Sequence, residues 1–280
     1  MIQNTPIKEY KIGNYNIFVK REDLACLPPG PPFAKVRGLY PVLQDLKNKG
    51  IKTFGYMETS ISMAGWGLSY FCKEMGLKSV IFYPEYKDGK RHNQSFQFKK
   101  WQKFDAEIIP LEKPNRLMIN WYRARKMLKD KYPESEMLPQ GLPFNETVKN
   151  VSDELKRDKH LFQNIKTIVL CIGSGTMLSG ILKGLYSIDS NINVYGVIVA
   201  PKSQAKMRSK IYKMAGVSDI GFFAYKGNIN IVDVGFEYTD KETFKCPFPC
   251  NPYYDRKAWK WLNENIDSLV KPLMFWNIGA

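Results

Sequence analysis

Pro32-Phe33-Ala34-Lys35-Val36-Arg37-Gly38-Leu39 follows a strand-like run, Ile17-Phe18-Val19-Lys20-Arg21-Glu22-Asp23-Leu24, and a loop rich in proline. Taken alone, Lys35 is as well explained as one surface lysine among many in a basic protein. A second stretch lies downstream. Ile168-Val169-Leu170-Cys171-Ile172 is apolar, Gly173-Ser174-Gly175-Thr176 is a glycine-rich turn, and Ile181-Leu182-Lys183-Gly184-Leu185 is amphipathic. This order describes a strand that delivers a tight loop to a helix N-terminus, where backbone N–H groups and the helix dipole favour a phosphate. Gly173 and Gly175 permit backbone angles and a close approach that a Cβ would forbid. Ser174 and Thr176 add hydroxyl donors. Many such turns bind nothing, so the turn alone is a weak signal.

The same rhythm continues along the chain. Leu77-Lys78-Ser79-Val80-Ile81-Phe82-Tyr83-Pro84 and Ala106-Glu107-Ile108-Ile109-Pro110 read as strands. Val194-Tyr195-Gly196-Val197-Ile198-Val199-Ala200 is a continuous apolar run of the kind buried on both faces of a parallel sheet. Strands alternating with helical stretches argue for an α/β architecture with right-handed crossovers.

In content and order these segments resemble the fold-type II pyridoxal-phosphate (PLP) enzymes of the tryptophan synthase beta-like superfamily. The motif order is nearest to the branch of aminocyclopropane-carboxylate deaminase and D-cysteine desulfhydrase. There, a "hyhKRDDL" segment leads into "GNKxRKL", whose lysine forms the imine with the cofactor; the resemblance implies this role for Lys35. Gly173, Ser174, Gly175 and Thr176 are similar to the "GSGGTxxG" phosphate cup, with one glycine missing. Asn251-Pro252-Tyr253-Tyr254-Asp255-Arg256-Lys257-Ala258 resembles "DPVYTGKA" or "DPVYEGKA". That match implies that Asp255 faces the pyridine nitrogen and keeps it protonated, and that Tyr254 stands by the ring or the substrate and moves a proton. Tyr253 and Trp259 read as core and rim aromatics.

Met57-Glu58-Thr59-Ser60-Ile61-Ser62-Met63-Ala64-Gly65-Trp66-Gly67-Leu68 resembles the family loop written "GGxQSNHxxxxA" or "SSGNTGxxxA". The likeness implies that Thr59, Ser60, Ile61 and Ser62 bind the substrate carboxylate, with Ser60 or Ile61 where an asparagine usually meets the cofactor. Ser60 and Ser62 read equally as N-caps of the following helix. The implied fold is two parallel-sheet, three-layer α/β domains with the cofactor in the cleft between them. Residues 1–46 and 140–280 would form the large PLP-binding domain and residues 47–139 the small one. Leu138-Pro139-Gln140-Gly141-Leu142 matches the return crossover, and Leu273-Met274-Phe275-Trp276-Asn277-Ile278-Gly279-Ala280 the family's late strand.

Composition narrows the chemistry further. The 280 residues suffice for two modest domains with a sizeable core. No apolar run is long enough to span a bilayer, and Met1-Ile2-Gln3-Asn4 carries no signal-peptide pattern. The expectation is a protein without a membrane partner, in the cytoplasm, that of a bacterial host if the source is viral. Five cysteines lack metal-ligand spacing, so reduced thiols and no metal are expected. Two histidines make a histidine-centred triad or metal cluster improbable. A PLP enzyme needs none, because its lysine can serve as base and acid.

Charge is what the resemblance leaves unexplained. Lys and Arg number 42 against 27 Asp and Glu, a formal +15. Such an excess points to a polyanionic partner. One run holds Lys87, Lys90, Arg91, Lys99, Lys100 and Lys103 with Phe96, Phe98 and Trp101 interleaved; a second holds Lys113, Arg116, Arg123, Arg125, Lys126, Lys129 and Lys131. A third, Lys202, Lys206, Arg208, Lys210 and Lys213, contains no acid. Each run also reads as a plain solvated face. As nucleic-acid contacts the choice falls on Lys99, Lys100, Lys103, Arg123, Arg125 and Lys126, with aromatics as stacking surfaces. The leading function is a PLP-dependent lyase acting at the α-carbon, by decarboxylation or elimination, on an amino acid linked to a nucleobase in DNA, as in viral DNA hypermodification. The alternatives are a deaminase, desulfhydrase or β-replacement enzyme on a free small amino acid, or an inactive relative that binds nucleic acid. A homodimer is among the assemblies left open.

Overall fold

The computed structural model describes residues 2–59, 61–85, 96–112, 117–216 and 225–280. Along the chain run β1 (Ile7–Ile12), β2 (Tyr15–Arg21), α1 (Val36–Asn48), β3 (Thr53–Met57), α2 (Ala64–Glu74), β4 (Lys78–Pro84), α3 (Phe96–Lys103), β5 (Glu107–Leu111), α4 (Leu117–Lys131) and β6 (Ser135–Met137). Then come α5 (Asn145–Arg157), α6 (Lys159–Phe162), β7 (Thr167–Ile172), α7 (Thr176–Ser187), β8 (Asn193–Ile198), α8 (Gln204–Ala215), β9 (Ile229–Asp233), α9 (Asp255–Asn265) and β10 (Leu273–Asn277). They form two compact units: residues 1–27, 32–38 and 144–280, and residues 28–31 and 39–143. The architecture is α/β with largely parallel sheets, as expected. Among the described residues no helix is long and apolar enough to cross a membrane.

The first unit is built on a six-stranded sheet of order β1-β2-β10-β7-β8-β9, parallel except for the antiparallel β1–β2 edge pair. Its central strand β7 is buried at every position because helices cover both faces. Ile168, Leu170 and Ile172 face a core shared with α5, α7 and α8. Val169 and Cys171 point the other way, toward Trp259 and Leu262 of α9 and Phe275 of β10. Gly180 lets α7 close on α5, since a Cβ there would stand 2.7 Å from Val151 Cβ.

Polar residues of the opening strand are also internal. Lys20 Nζ lies 2.8 Å from Glu154 and 2.9 Å from Asp158, Arg37 lies 2.6 Å from Glu22 and 3.1 Å from Glu154, and Arg21 lies 2.6 Å from Asp23. Burial alone would raise the Glu154 carboxyl, but Arg157, Arg37 and Lys20 outweigh it and hold it at about 2. This network joins the first strands to α5 and to the start of α1.

The second unit carries a four-stranded parallel sheet, β5-β4-β3-β6. Met57, Val80, Phe82 and Leu111 from its strands pack on Ala124 and Leu128 of α4. Trp101 is fully buried beside Tyr83 and Phe98. That corrects its reading as a surface for stacking bases: α3 turns its Trp101 side inward, and only Phe96 of the three aromatics is widely exposed.

Candidate active site

Lys35 sits immediately before α1, on a loop fixed by the end of β10. Ala34 N–H donates to the Ile278 carbonyl at 2.8 Å, Ala280 N–H donates to the Pro32 carbonyl at 3.1 Å, and Phe33 bridges Gly279. The Lys35 amine donates to Ser174 Oγ at 2.9 Å. Burial of the amine, with Lys202 and Lys210 as nearby like charges, brings it down to about 8. At neutral pH this amine is poised to give or take a proton.

Ser174 belongs to the loop between β7 and α7. Gly175 is the N-cap of α7 with φ +90°, and a Cβ there would meet Ile211 Cγ1 at 2.8 Å, so glycine is required twice over. Ser174 Oγ and Thr176 Oγ1 share a hydrogen bond of 2.8 Å. Lys202 Nζ donates to the Gly173 carbonyl. The Tyr254 ring lies over Gly173, and its hydroxyl meets that of Tyr238 at 2.8 Å. A helix N-terminus, two hydroxyls and lysines thus converge, the chemistry of an anion site.

Asp255 opens α9 and is 1% exposed. It accepts from Ile278 N–H at 2.7 Å and from Cys171 Sγ at 3.6 Å, and among the described residues no ion pair reaches it. Burial raises its carboxyl to about 7. Cys171 lies within electrostatic reach of both Asp255 and Lys35; burial first, then Asp255, raises its thiol well above the usual range. A buried carboxylate without a cation fits a cationic ring nitrogen brought by a cofactor. The phosphate-favouring loop and the amine fit the same molecule. The structure therefore brings Lys35, Gly173, Ser174, Gly175, Thr176, Tyr254 and Asp255 together in one unit.

The loop after β3 belongs to the second unit. Glu58 is wholly buried and accepts from Thr59 N–H at 2.8 Å and from Gly65 N–H. Burial pushes its carboxyl up to about 8, against the hydrogen bonds from Thr59, Gly65 and Ser62. Ser62 Oγ accepts from Ala64 N–H at 3.2 Å, and Ile61 is buried. Ser60 lies outside the described residues, as do Lys87, Lys90, Arg91, Lys113 and Arg116.

Sequence reasoning missed Glu58, Tyr238 and Cys171, and placed Lys202 only in a basic run. Glu58 had a local signal: an acid between an apolar strand and a helix start. Tyr238 had none, being distant in sequence from Tyr254. Of the nucleic-acid candidates, Lys99, Lys103, Arg123, Arg125 and Lys126 are exposed. Lys126 pairs with Asp130 at 2.5 Å, Arg125 lies over Trp121, and Lys100 lies over Trp66 and Phe96.

Comparison with known proteins agrees with this geometry. The sequence pattern of the family described as "Pyridoxal-phosphate dependent enzyme" matches residues 1–244. A "Glycyl-dTMP PLP-dependent decarboxylase" of Pseudomonas phage M6 is 34% identical over 287 residues, covering 100% of this chain and 99% of the relative. The crystal structure of an ACC deaminase homologue superposes with a TM-score of 0.76 at 18% identity, covering 99% of this chain and 89% of that one. A hydrogen sulfide-producing enzyme from Fusobacterium nucleatum gives 0.65 at 17%, covering 100% and 96%.

Proposed function

The chain belongs to the pyridoxal-phosphate dependent enzyme family, and from that premise we propose that it decarboxylates an amino acid joined to a nucleobase of DNA. The observation that carries this reading is the end-to-end similarity to the phage glycyl-dTMP decarboxylase. The deaminase-like and sulfide-producing neighbours share the fold at 18% and 17% identity, which speaks for fold and not for reaction.

PLP, when bound, supplies an electron sink for the pair left at the substrate's α-carbon. Lys35 would hold the cofactor, and its buried amine would be the group to give a proton to the carbon that loses carbon dioxide. Gly173, Ser174, Gly175 and Thr176 receive the phosphate at the start of α7. Asp255 would supply the negative charge that keeps the cofactor's ring nitrogen protonated. Tyr254, tied to Tyr238, shields the loop and orients its hydroxyl. In the second unit, Glu58 shapes the loop that carries Thr59, Ile61 and Ser62, residues assigned to a substrate carboxylate by their likeness to the family loop.

The test is incubation of the PLP-loaded protein with glycyl-modified thymine DNA and with free glycine and D-cysteine, followed by mass analysis. Loss of carbon dioxide from the DNA-linked residue is expected. Release of ammonia or sulfide from the free amino acids, with the DNA unchanged, would refute the reading.

A further inference from the structure

Lysines lead away from the phosphate loop along one side of α8. Lys202 reaches the Gly173 carbonyl just before the helix. Lys206, Lys210 and Lys213 follow at i, i+4 and i+7, exposed on one face. The opposite face, Met207, Ile211 and Ala215, is buried, with Met207 and Ile211 against Gly175. Ser203 caps the helix, its side chain accepting from Lys206 N–H, and Gly216 closes it with φ +70°. The stripe is therefore held rigidly to the wall of the loop.

Its charge is uncompensated. Residues 202–213 contain no acid. Among the described residues no ion pair is formed by Lys202, Lys206, Lys210 or Lys213. Several lysines elsewhere are paired, Lys126 with Asp130, Lys131 and Lys78 with Glu107, Lys149 with Asp153, and Lys226 with Asp189. Like charges at i, i+4 oppose helix formation, and a lysine in the first turn opposes the helix dipole. Folding does not favour this arrangement, but a chain of anions does. Successive lysines at i, i+4 rise by about 6 Å, close to two nucleotides of one DNA strand at about 3.4 Å each. Lys202 and Lys210 also lie within electrostatic reach of Lys35, so the stripe begins at the reacting amine.

We propose that Lys206, Lys210 and Lys213, continuing from Lys202, form the track on which substrate-bearing DNA lays its phosphates. This rests on the nucleic-acid-linked substrate proposed above, and it moves the DNA contact from the helices α3 and α4 to α8. A stripe of point charges reads phosphates and not bases, so the contact is independent of sequence.

The experiment is fluorescence anisotropy of the PLP-loaded protein with a labelled thymine-rich oligonucleotide, single-stranded and duplex, across a salt series. The triple variant Lys206→Gln/Lys210→Gln/Lys213→Gln should bind about tenfold or more weakly, with the log–log salt slope reduced by about 2 to 3. PLP uptake, followed by cofactor fluorescence, should be unchanged, and Lys→Arg at the same positions should restore DNA binding. Glutamine favours exposed helix, so the variant keeps α8. Undiminished DNA binding in this variant, alongside weakening by Arg123→Gln/Arg125→Gln/Lys126→Gln, would overturn the track and leave the DNA-linked substrate standing. Loss of PLP uptake with DNA affinity intact would assign the lysines to the cofactor's phosphate and likewise overturn it. No salt-sensitive binding by the unaltered protein would sink both the track and the DNA-linked substrate.

Discussion

Around Lys20, Glu22, Arg37 and Glu154 each buried charge meets one of opposite sign, whereas Asp255, also buried, meets a backbone amide and a thiol. Glu154 is 2% exposed and held at about 2; Asp255 is 1% exposed and raised to about 7. Both are shielded from solvent, but Asp255 lies deeper and has no cation beside it among the described residues, so burial and partners act in the same direction. In the first cluster the chain satisfies its own charges and the result is architecture. At Asp255 no ion pair among the described residues compensates the carboxylate, and that is where a cationic ring nitrogen would fit.

Four substitutions or titrations would break or sharpen that contrast. The largest effect is expected from Lys35→Ala: activity should fall by about 10⁴-fold or more, with little loss of thermal stability. Borohydride treatment followed by peptide mass mapping should place the pyridoxyl group on Lys35 in the parent protein and nowhere in the variant. A reducible cofactor linkage persisting in Lys35→Ala would remove Lys35 from the site.

Glu154→Gln should act in the opposite sense, leaving Lys20 and Arg37 buried and underpaired. A stability loss of about 3–5 kcal/mol is expected, read from urea unfolding, with specific activity of the folded fraction nearly intact. A mild stability change with activity lost would merge the two clusters into one functional unit.

Asp255→Asn should retain PLP while activity drops by about 10²-fold, a smaller effect than at Lys35, because the amide cannot sustain a protonated ring nitrogen. Cofactor titration and steady-state rates on the same sample separate the two outcomes. Unaltered turnover would mean that the carboxylate has another task.

The smallest effect is a pH signature of the PLP-free protein. An acid raised in the fold from 3.8 to about 7 contributes stability that is present below its unfolded value and lost as pH rises through the folded one. Relative to Asp255→Asn, the parent should therefore lose melting temperature between about pH 4 and 7. Glu154, lowered from 4.5 to about 2, has the opposite sign: its contribution is present above 4.5 and lost as pH falls toward 2. A melting difference between parent and Asp255→Asn that stays flat over that interval would show that Asp255 is compensated from within.

Much of this was legible in the residues, and the limits have physical causes. The strands β7, β8 and β10 announce themselves because sheets covered on both faces demand unbroken apolar runs. Residues 173–176 are legible as an anion-favouring turn because that chemistry at a helix start is local in sequence, whereas Lys35 stands out only through its likeness to the family motif. Trp101 misled because a basic and aromatic alternation looks the same whether a helix turns its rings outward or inward. Tyr238 and the inner end of the lysine stripe take their roles from partners well removed along the chain, contacts that no spacing encodes, whereas Glu58 is held by the loop just after it.

Ile278 contributes to the site with its peptide groups alone. Its N–H holds Asp255 at 2.7 Å, and its carbonyl holds Ala34, next to Lys35, at 2.8 Å. One residue of backbone thus serves as the ruler between the amine and the acid, steadied by a side chain that packs against both cores of the first unit. Proline at position 278, by deleting the N–H, would erase one mark on that ruler. Neighbouring side chains can diversify around a spacing that main-chain groups set. A lineage can change which bond it breaks while inheriting, intact, the gauge against which the reaction is aligned.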